Sequence, residues 1–123
     1  MTDLTAFVKR LERPPLLPLT QAKKEVNNAE LGQMLFNELG CADCHSPSTD
    51  FTSPDRYDVE LVDELGIREF NPPSLRSISR RKSYFHDGRA AELNEVFRNF
   101  KHQLPRKLSD DELEVLLAYL RSL

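Results

Sequence analysis

The chain has 123 residues, of which 39% are hydrophobic and 30% charged, a length that fits one small domain with short extensions. Seventeen Lys and Arg against twenty Asp and Glu give a net charge of -3, spread without long runs of one sign, which argues against nucleic acid as a partner. The sequence contains no run near the roughly 18 apolar residues of a membrane-spanning helix, and residues 1–20 lack the apolar core of a secretory signal.

The first predicted element is a short amphipathic helix over residues 3–12, followed by a stiff linker. Three prolines between residues 14 and 18 favour an extended chain and stop the helix. We therefore divide the chain into residues 1–19, a helix with a Pro-rich linker, and residues 20–123, the main domain. The apolar residues at helical spacing are Leu4, Phe7, Val8 and Leu11.

The N-terminal helix repeats a pattern found at the end of the chain. Residues 5–11, TAFVKRL, align with residues 117–123, LAYLRSL, matching an Ala, an aromatic residue, a basic residue and a final Leu. Two interpretations are open. Either these are unrelated amphipathic helices built from common residues, or residues 1–12 are the closing helix of a preceding, similar domain.

A second helix is predicted over residues 28–38, with Thr20 as a candidate cap upstream and Gly40 at its end. Its apolar positions fall on one predicted stripe, formed by Leu31, Met34, Leu35 and Leu39.

Directly after this helix, both cysteines of the chain lie three apart and a histidine follows the second: Cys41, Cys44 and His45. Covalent attachment of haem needs two thiols at a separation that matches the two vinyl groups, and a neighbouring imidazole that can reach the iron. The motif therefore predicts one covalently bound haem c, with His45 as the proximal iron ligand.

Two other chemistries use a similar spacing. A redox dithiol of thioredoxin type expects a preceding strand within a βαβ pattern, which this sequence lacks. A zinc site needs two further ligands, and only His86 and His102 remain, with no thiol beside them.

The rest of the chain predicts loops and two more helices. Residues 46–73 read as irregular turns, within which DVELVDELGI fits either a short strand or a helical turn, and no strong strand pair is visible. Residues 90–103 carry apolar side chains at helical spacing. Ser109 with Glu112 forms a capping box for a helix that runs to the C-terminus. The prediction is a mostly α domain with long irregular loops.

The segment AELGQMLFNELGCADCH resembles the opening helix and haem-attachment turn of class I c-type cytochromes. The resemblance implies a cytochrome c fold, in which three to five helices surround the haem. It also implies that Gly32 and Phe36 on the opening helix pack against Tyr119 on the C-terminal helix.

The segment FNPPSLRSISRRKSYFHDGRAAELNEVF is similar to a stretch of the bacterial di-haem cytochrome c peroxidases and their MauG-like relatives. The similarity runs from about residue 31 to residue 123, and the single Cys-x-x-Cys-His motif suggests a single-haem version. It implies an extracytoplasmic, periplasmic bacterial protein, exported by a signal outside this sequence, with a redox partner protein or a fused redox domain.

The sixth iron ligand departs from that family. The family's methionine position falls on Phe100, and the chain has only Met1 and Met34, of which Met34 lies too close to the motif to reach the opposite haem face. Three options remain: His102, two residues beyond the family position; His86 in the YFHDG segment; or an open site.

Two arginines, Arg76 and Arg89, are candidates to pair with the haem propionates, since buried carboxylates need charge-assisted donors. Solvated surface arginines are the alternative, because the same segment contains Arg80, Arg81 and Lys82.

Two functions compete on these residues. The first is one-electron transfer by a c-type cytochrome domain that forms part of a larger redox protein. The second is a peroxidase-like or ligand-binding haem domain with an open or displaceable sixth site. The second needs a nearby acid or base, for which Asp87, Glu92 and Glu95 are the candidates.

Overall fold

The computed structural model describes residues 2–12 and 23–123. The Pro-rich linker and the candidate cap Thr20 lie outside the described residues. The architecture is mostly helical with long loops around a single core, as predicted. In chain order the elements are helices α1 Thr2–Arg10, α2 Lys23–Glu38 and α3 Cys41–Cys44, strands β1 Tyr57–Asp58 and β2 Glu69–Phe70, and helices α4 Leu93–Arg98 and α5 Asp110–Arg121, with 3₁₀ turns at Pro47–Thr49 and Ile78–Arg80.

Helix α2 is longer than the predicted residues 28–38 and buries a different face. Ala29, Leu35, Phe36 and Leu39 are buried, whereas Leu31 and Met34 are 52% and 68% exposed. The predicted stripe was therefore wrong at those two positions. The reason is the close contact at Gly32, which turns the face containing residues 29, 32, 36 and 39 toward the neighbouring helix.

That neighbour is α5, whose capping box was predicted correctly. The Ser109 side chain accepts a hydrogen bond from the Glu112 amide, and the Glu112 side chain accepts one from the Ser109 amide. At Gly32 a Cβ atom would lie 1.9 Å from the Val115 carbonyl oxygen, so only glycine allows this approach. The rings of Phe36 and Tyr119 meet edge to face at 5.4 Å, which is the packing that the cytochrome resemblance implied.

The central loops contain one minimal strand pair that the sequence did not predict. β1 and β2 are antiparallel, with Tyr57 opposite Phe70 and Asp58 opposite Glu69. We call residues 57–70 the hairpin. The carboxylate of Asp63 accepts hydrogen bonds from the amides of Leu65 and Ile67 and so shapes its turn.

Helix α4 is much shorter than the predicted span of residues 90–103. It ends at Arg98, and the amides of Asn99 and Phe100 both bond to the Glu95 carbonyl. Lys101 and Gln103 then adopt φ angles of 50° and 49°, in the left-handed region. The apolar spacing continues to Phe100, but the backbone has already left the helix.

Candidate haem site

The two cysteines lie on the single turn of α3, where positions i and i+3 share one face. Gly40, with a φ of 76°, joins this turn to the end of α2. Both cysteines are free thiols. Burial raises the pKa of the Cys41 thiol to about 11 and also raises the pKa of Cys44. Protonated thiols are the opposite of what a redox dithiol uses, since reactive cysteines have a lowered pKa.

His45 is held in one tautomer by its own loop. Its Nδ1 lies 2.9 Å from the Phe51 carbonyl oxygen, which can only accept, so Nδ1 carries the proton and donates it. Nε2 is then left with its lone pair. Burial lowers the pKa of the imidazole, against hydrogen bonds to the backbone at Phe51 and Pro73. A neutral, oriented imidazole of this kind is what an iron ligand requires.

His102 comes to the same region from the far end of the chain. Burial, and to a smaller extent the charge of His45, lower the pKa of its imidazole to about 4, so the two rings lie within electrostatic range of each other. Among the described residues its Nδ1 is buried and has no hydrogen-bond partner. The Phe85 ring packs edge to face against the imidazole at 5.5 Å.

Backbone strain is concentrated at the residues around these two histidines. Non-glycine residues in the left-handed region include Phe51, which bonds to His45, Phe85, which packs on His102, and Lys101 and Gln103, which flank His102. Each such residue costs of the order of 1 kcal/mol and persists where its surroundings hold it, most often at functional sites.

An apolar wall adjoins these polar groups. Phe85 and Phe100 meet edge to face at 5.1 Å. The side chains that pack against the core yet stay only partly buried are Cys41, Ala42, Leu75, Phe85, Phe97, Phe100, Leu104, Leu108 and Val115. Two thiols, an imidazole with a free Nε2 lone pair, a second imidazole whose buried Nδ1 has no partner in the described part of the chain, and half-covered aromatic rings together fit a haem c. The residues that would hold it are Cys41, Cys44, His45 and His102.

His86 lies in a different environment. Its ring stacks on Phe70 at 4.1 Å with 15° between the planes, and its Nε2 is 3.8 Å from an Asp87 carboxylate oxygen. The same carboxylate shares the single N–H of Arg89 Nε between its two oxygens, at 2.8 and 3.0 Å, and Arg89 Nη2 also donates to the Val62 carbonyl. These contacts tie the YFHDG segment to the hairpin.

Comparison with known proteins covers the part of the chain that contains these residues. The sequence profile of the family described as di-haem cytochrome c peroxidase matches residues 26–118.

The chain belongs to this di-haem cytochrome c peroxidase family.

One curated relative of this haem family is the cytochrome c551 peroxidase of Nitrosomonas europaea, which is 31% identical over 120 aligned residues. The alignment covers 82% of this chain and 36% of that protein, so the chain spans about a third of the relative's length. In residues 2–12 and 23–123, no helix is both long and apolar enough to cross a membrane.

Arg76 occupies a supporting position in this peroxidase-family domain. Its Nε lies 2.9 Å from an Asp50 carboxylate oxygen, with both side chains about a fifth exposed. The Ser74 hydroxyl donates to the Asp50 carbonyl at 2.6 Å. Because Asp50 precedes Phe51, the pair braces the loop whose carbonyl orients His45.

Sequence reasoning did not find Asp50 or the Phe51 carbonyl. A backbone acceptor carries no residue-type signal, because any residue at position 51 would offer the same oxygen. Nothing in the sequence marks Asp50 as a site residue, because acidic residues are common in turns rich in Ser and Thr.

Proposed function

We propose that this peroxidase-family domain holds one haem c, which Cys41 and Cys44 would bind covalently and whose iron His45 and His102 would ligate. Its function is then one-electron transfer, as part of a larger extracytoplasmic redox protein. When bound, the haem supplies an Fe(III)/Fe(II) couple whose potential depends on the axial ligands and on burial.

One observation carries the proposal: Nδ1 of the His102 imidazole is buried and has no hydrogen-bond partner among the described residues, and the ring lies within electrostatic range of His45. Leaving a buried polar nitrogen unpaired costs about 1–3 kcal/mol. If the imidazole rotated so that one of its nitrogens bonded the haem iron, that bond would offset the cost. Lys101 and Gln103, on either side of His102, have left-handed backbone angles. Such strain is typical of functional sites, which supports a functional role for the position of His102.

The carboxylates support electron transfer over peroxide chemistry. Peroxide chemistry needs a carboxyl group near the haem that is free to accept or donate a proton, rather than one held by structural hydrogen bonds. Asp87 is bound to Arg89, whose hydrogen bond lowers the pKa of Asp87 to about 2, so it is ionised. Glu92 and Glu95 accept hydrogen bonds from backbone amides as the capping box of α4. All three carboxylates therefore have structural tasks.

The proposal also includes an extracytoplasmic location for the protein. Covalent haem attachment takes place outside the cytoplasm, and the family resemblance implies a periplasmic protein. Fractionation of the source cells should place the haem-stained chain in the periplasmic fraction.

The test is the absorption spectrum of the matured protein and of two variants. We expect denaturing mass spectrometry to give the chain plus one haem, and a ferric spectrum that is low-spin and unchanged by cyanide. His102→Ala should convert the iron to high-spin and admit carbon monoxide after reduction. His86→Ala is the matched control, because that ring stacks on Phe70, and it should leave the spectrum unchanged.

Three results would contradict the proposal. A low-spin spectrum that survives His102→Ala would remove His102 as a ligand. Loss of low-spin iron in His86→Ala would transfer the role to His86. A high-spin wild-type protein that turns over peroxide would support the second function, a peroxidase-like domain with an open site.

A further inference from the structure

Helix α1 carries an apolar face that is open to solvent. Leu4, Phe7, Val8 and Leu11 are 69%, 60%, 56% and 57% exposed. Their spacing of three and four residues places Leu4, Phe7 and Val8 on one side of α1, and Leu11 follows directly after the last helical residue, Arg10. An exposed cluster of large apolar side chains on one helix face marks an interaction surface.

The same pattern occurs in α5 and the residue positions just beyond it, where it is buried. A constant offset of 112 residues aligns Leu4 with Leu116, Phe7 with Tyr119, Val8 with Leu120 and Leu11 with Leu123. The four α5-side residues are 0%, 7%, 3% and 4% exposed. Matching sequence positions therefore have opposite environments at the two ends of the chain.

The surface that buries the α5 face is known in detail. It is the opening helix α2, which approaches α5 closely because Gly32 has no side chain, and which offers the Phe36 ring to Tyr119. That surface is already covered by α5 within this domain. The face of α1 therefore fits a second surface of the same kind.

We propose that the apolar face of α1 docks on the opening helix of a second haem c domain. Phe7 would occupy the position that Tyr119 has here, and the partner helix would present a glycine or other small residue followed four residues later by an aromatic residue. The proposal rests on the proposed function, because the partner is a domain of the same class. Two facts support it: the matching family is di-haem whereas this chain has one haem motif, and the chain spans about a third of its curated relative.

The first test is the reading frame upstream of residue 1 in the source gene. We expect a second Cys-x-x-Cys-His motif, preceded by a helix with the small-residue and aromatic pattern. A frame without that motif would overturn the proposal.

The second test uses the complete encoded protein, with unfolding of each haem domain followed by its own absorption band. Phe7→Ser should lower the denaturant midpoint of the second domain and leave the midpoint and spectrum of this domain unchanged. Phe7→Tyr introduces the residue that α5 uses and should leave both midpoints unchanged, and Lys9→Ser, on the polar side of α1, is the matched control.

Two outcomes would refute the docking surface. One is an unchanged midpoint of the second domain in Phe7→Ser. The other is a concentration-dependent dimer of residues 1–123 that Phe7→Ser dissolves, because a second copy of this chain would then be the occupant. Neither outcome alters the axial ligands, so failure here is distinguishable from failure of the electron-transfer proposal.

Discussion

Replacement of Gly32 by alanine tests the contact that joins the two main helices. The added Cβ would lie 1.9 Å from the Val115 carbonyl oxygen and 2.7 Å from the Tyr119 Cβ. Ordinary contact begins near 3.4 Å, so α2 and α5 must separate by about 1.5 Å at this point. Neither obstacle is a flexible side-chain end, and the backbone itself must move.

The loss of stability in Gly32→Ala follows from the packing lost between α2 and α5. A gap of 0.5–1 Å already removes about a quarter to a half of the contact energy of the lining atoms, and overpacking of a core costs about 1–3 kcal/mol, with the upper end expected where the backbone must move. Alanine recovers about 1 kcal/mol in helix propensity. We therefore expect Gly32→Ala to lower the free energy of unfolding by about 2 kcal/mol, and the Tm by about 8 °C for a domain of this size.

The assay is thermal and denaturant unfolding followed by far-ultraviolet circular dichroism, with Gly66→Ala as the matched control. Gly66 has a φ of +77° and no atom within 4 Å of an added Cβ. The control carries only backbone strain, about 1 kcal/mol, partly offset by a less flexible unfolded chain. If the two variants lose equal stability, close helix contact at Gly32 is not what holds α2 to α5.

Three further predictions concern the α5 cap, the His45 loop and the haem attachment. The hydrogen bond from Arg106 lowers the pKa of Glu112 from 4.5 to about 2. The ionised Glu112 therefore stabilises the fold above pH 4.5, and this stabilisation is lost as the pH falls from 4.5 to about 2. In Glu112→Gln, the Tm should fall less steeply between pH 5 and pH 2 than in the wild type. Arg76→Gln breaks a pair with side chains only about a fifth exposed and should cost about 1–2 kcal/mol in denaturant unfolding, whereas a loss below 0.5 kcal/mol would show that the loop does not depend on it. Cys44→Ala should keep haem on the chain after acid–acetone extraction through Cys41, and the double variant should release it.

The sequence was informative wherever a few neighbouring residues decide the structure. The turn that ends at His45 and the cap at Ser109 depend on local spacing, and both are visible in the letters alone. The mostly helical fold could be predicted for the same reason, because apolar residues in α2 and α5 recur at the three- to four-residue spacing of a helix.

The sequence did not predict structure that depends on contacts between distant parts of the chain. Leu31 and Met34 looked like core because nothing local reveals which face Gly32 brings to α5. Residues 99–103 continue an apolar pattern although the backbone leaves the helix at Arg98, because the reversal is set by tertiary contacts of the His102 segment. Arg76 and Arg89 were visible as cations, but their carboxylate partners Asp50 and Asp87 were not assigned from the pattern.

The two histidines differ in how early they can be positioned during folding. His45 is oriented by the Cys41 and Phe51 carbonyls, both within six residues, so this half of the pocket depends mainly on short-range contacts. His102 reaches the same place only after the intervening loops have folded. We expect the exported, still unfolded chain to present its thiols and first imidazole to the haem-attachment machinery before the C-terminal helix has docked, and the second imidazole would reach the haem last.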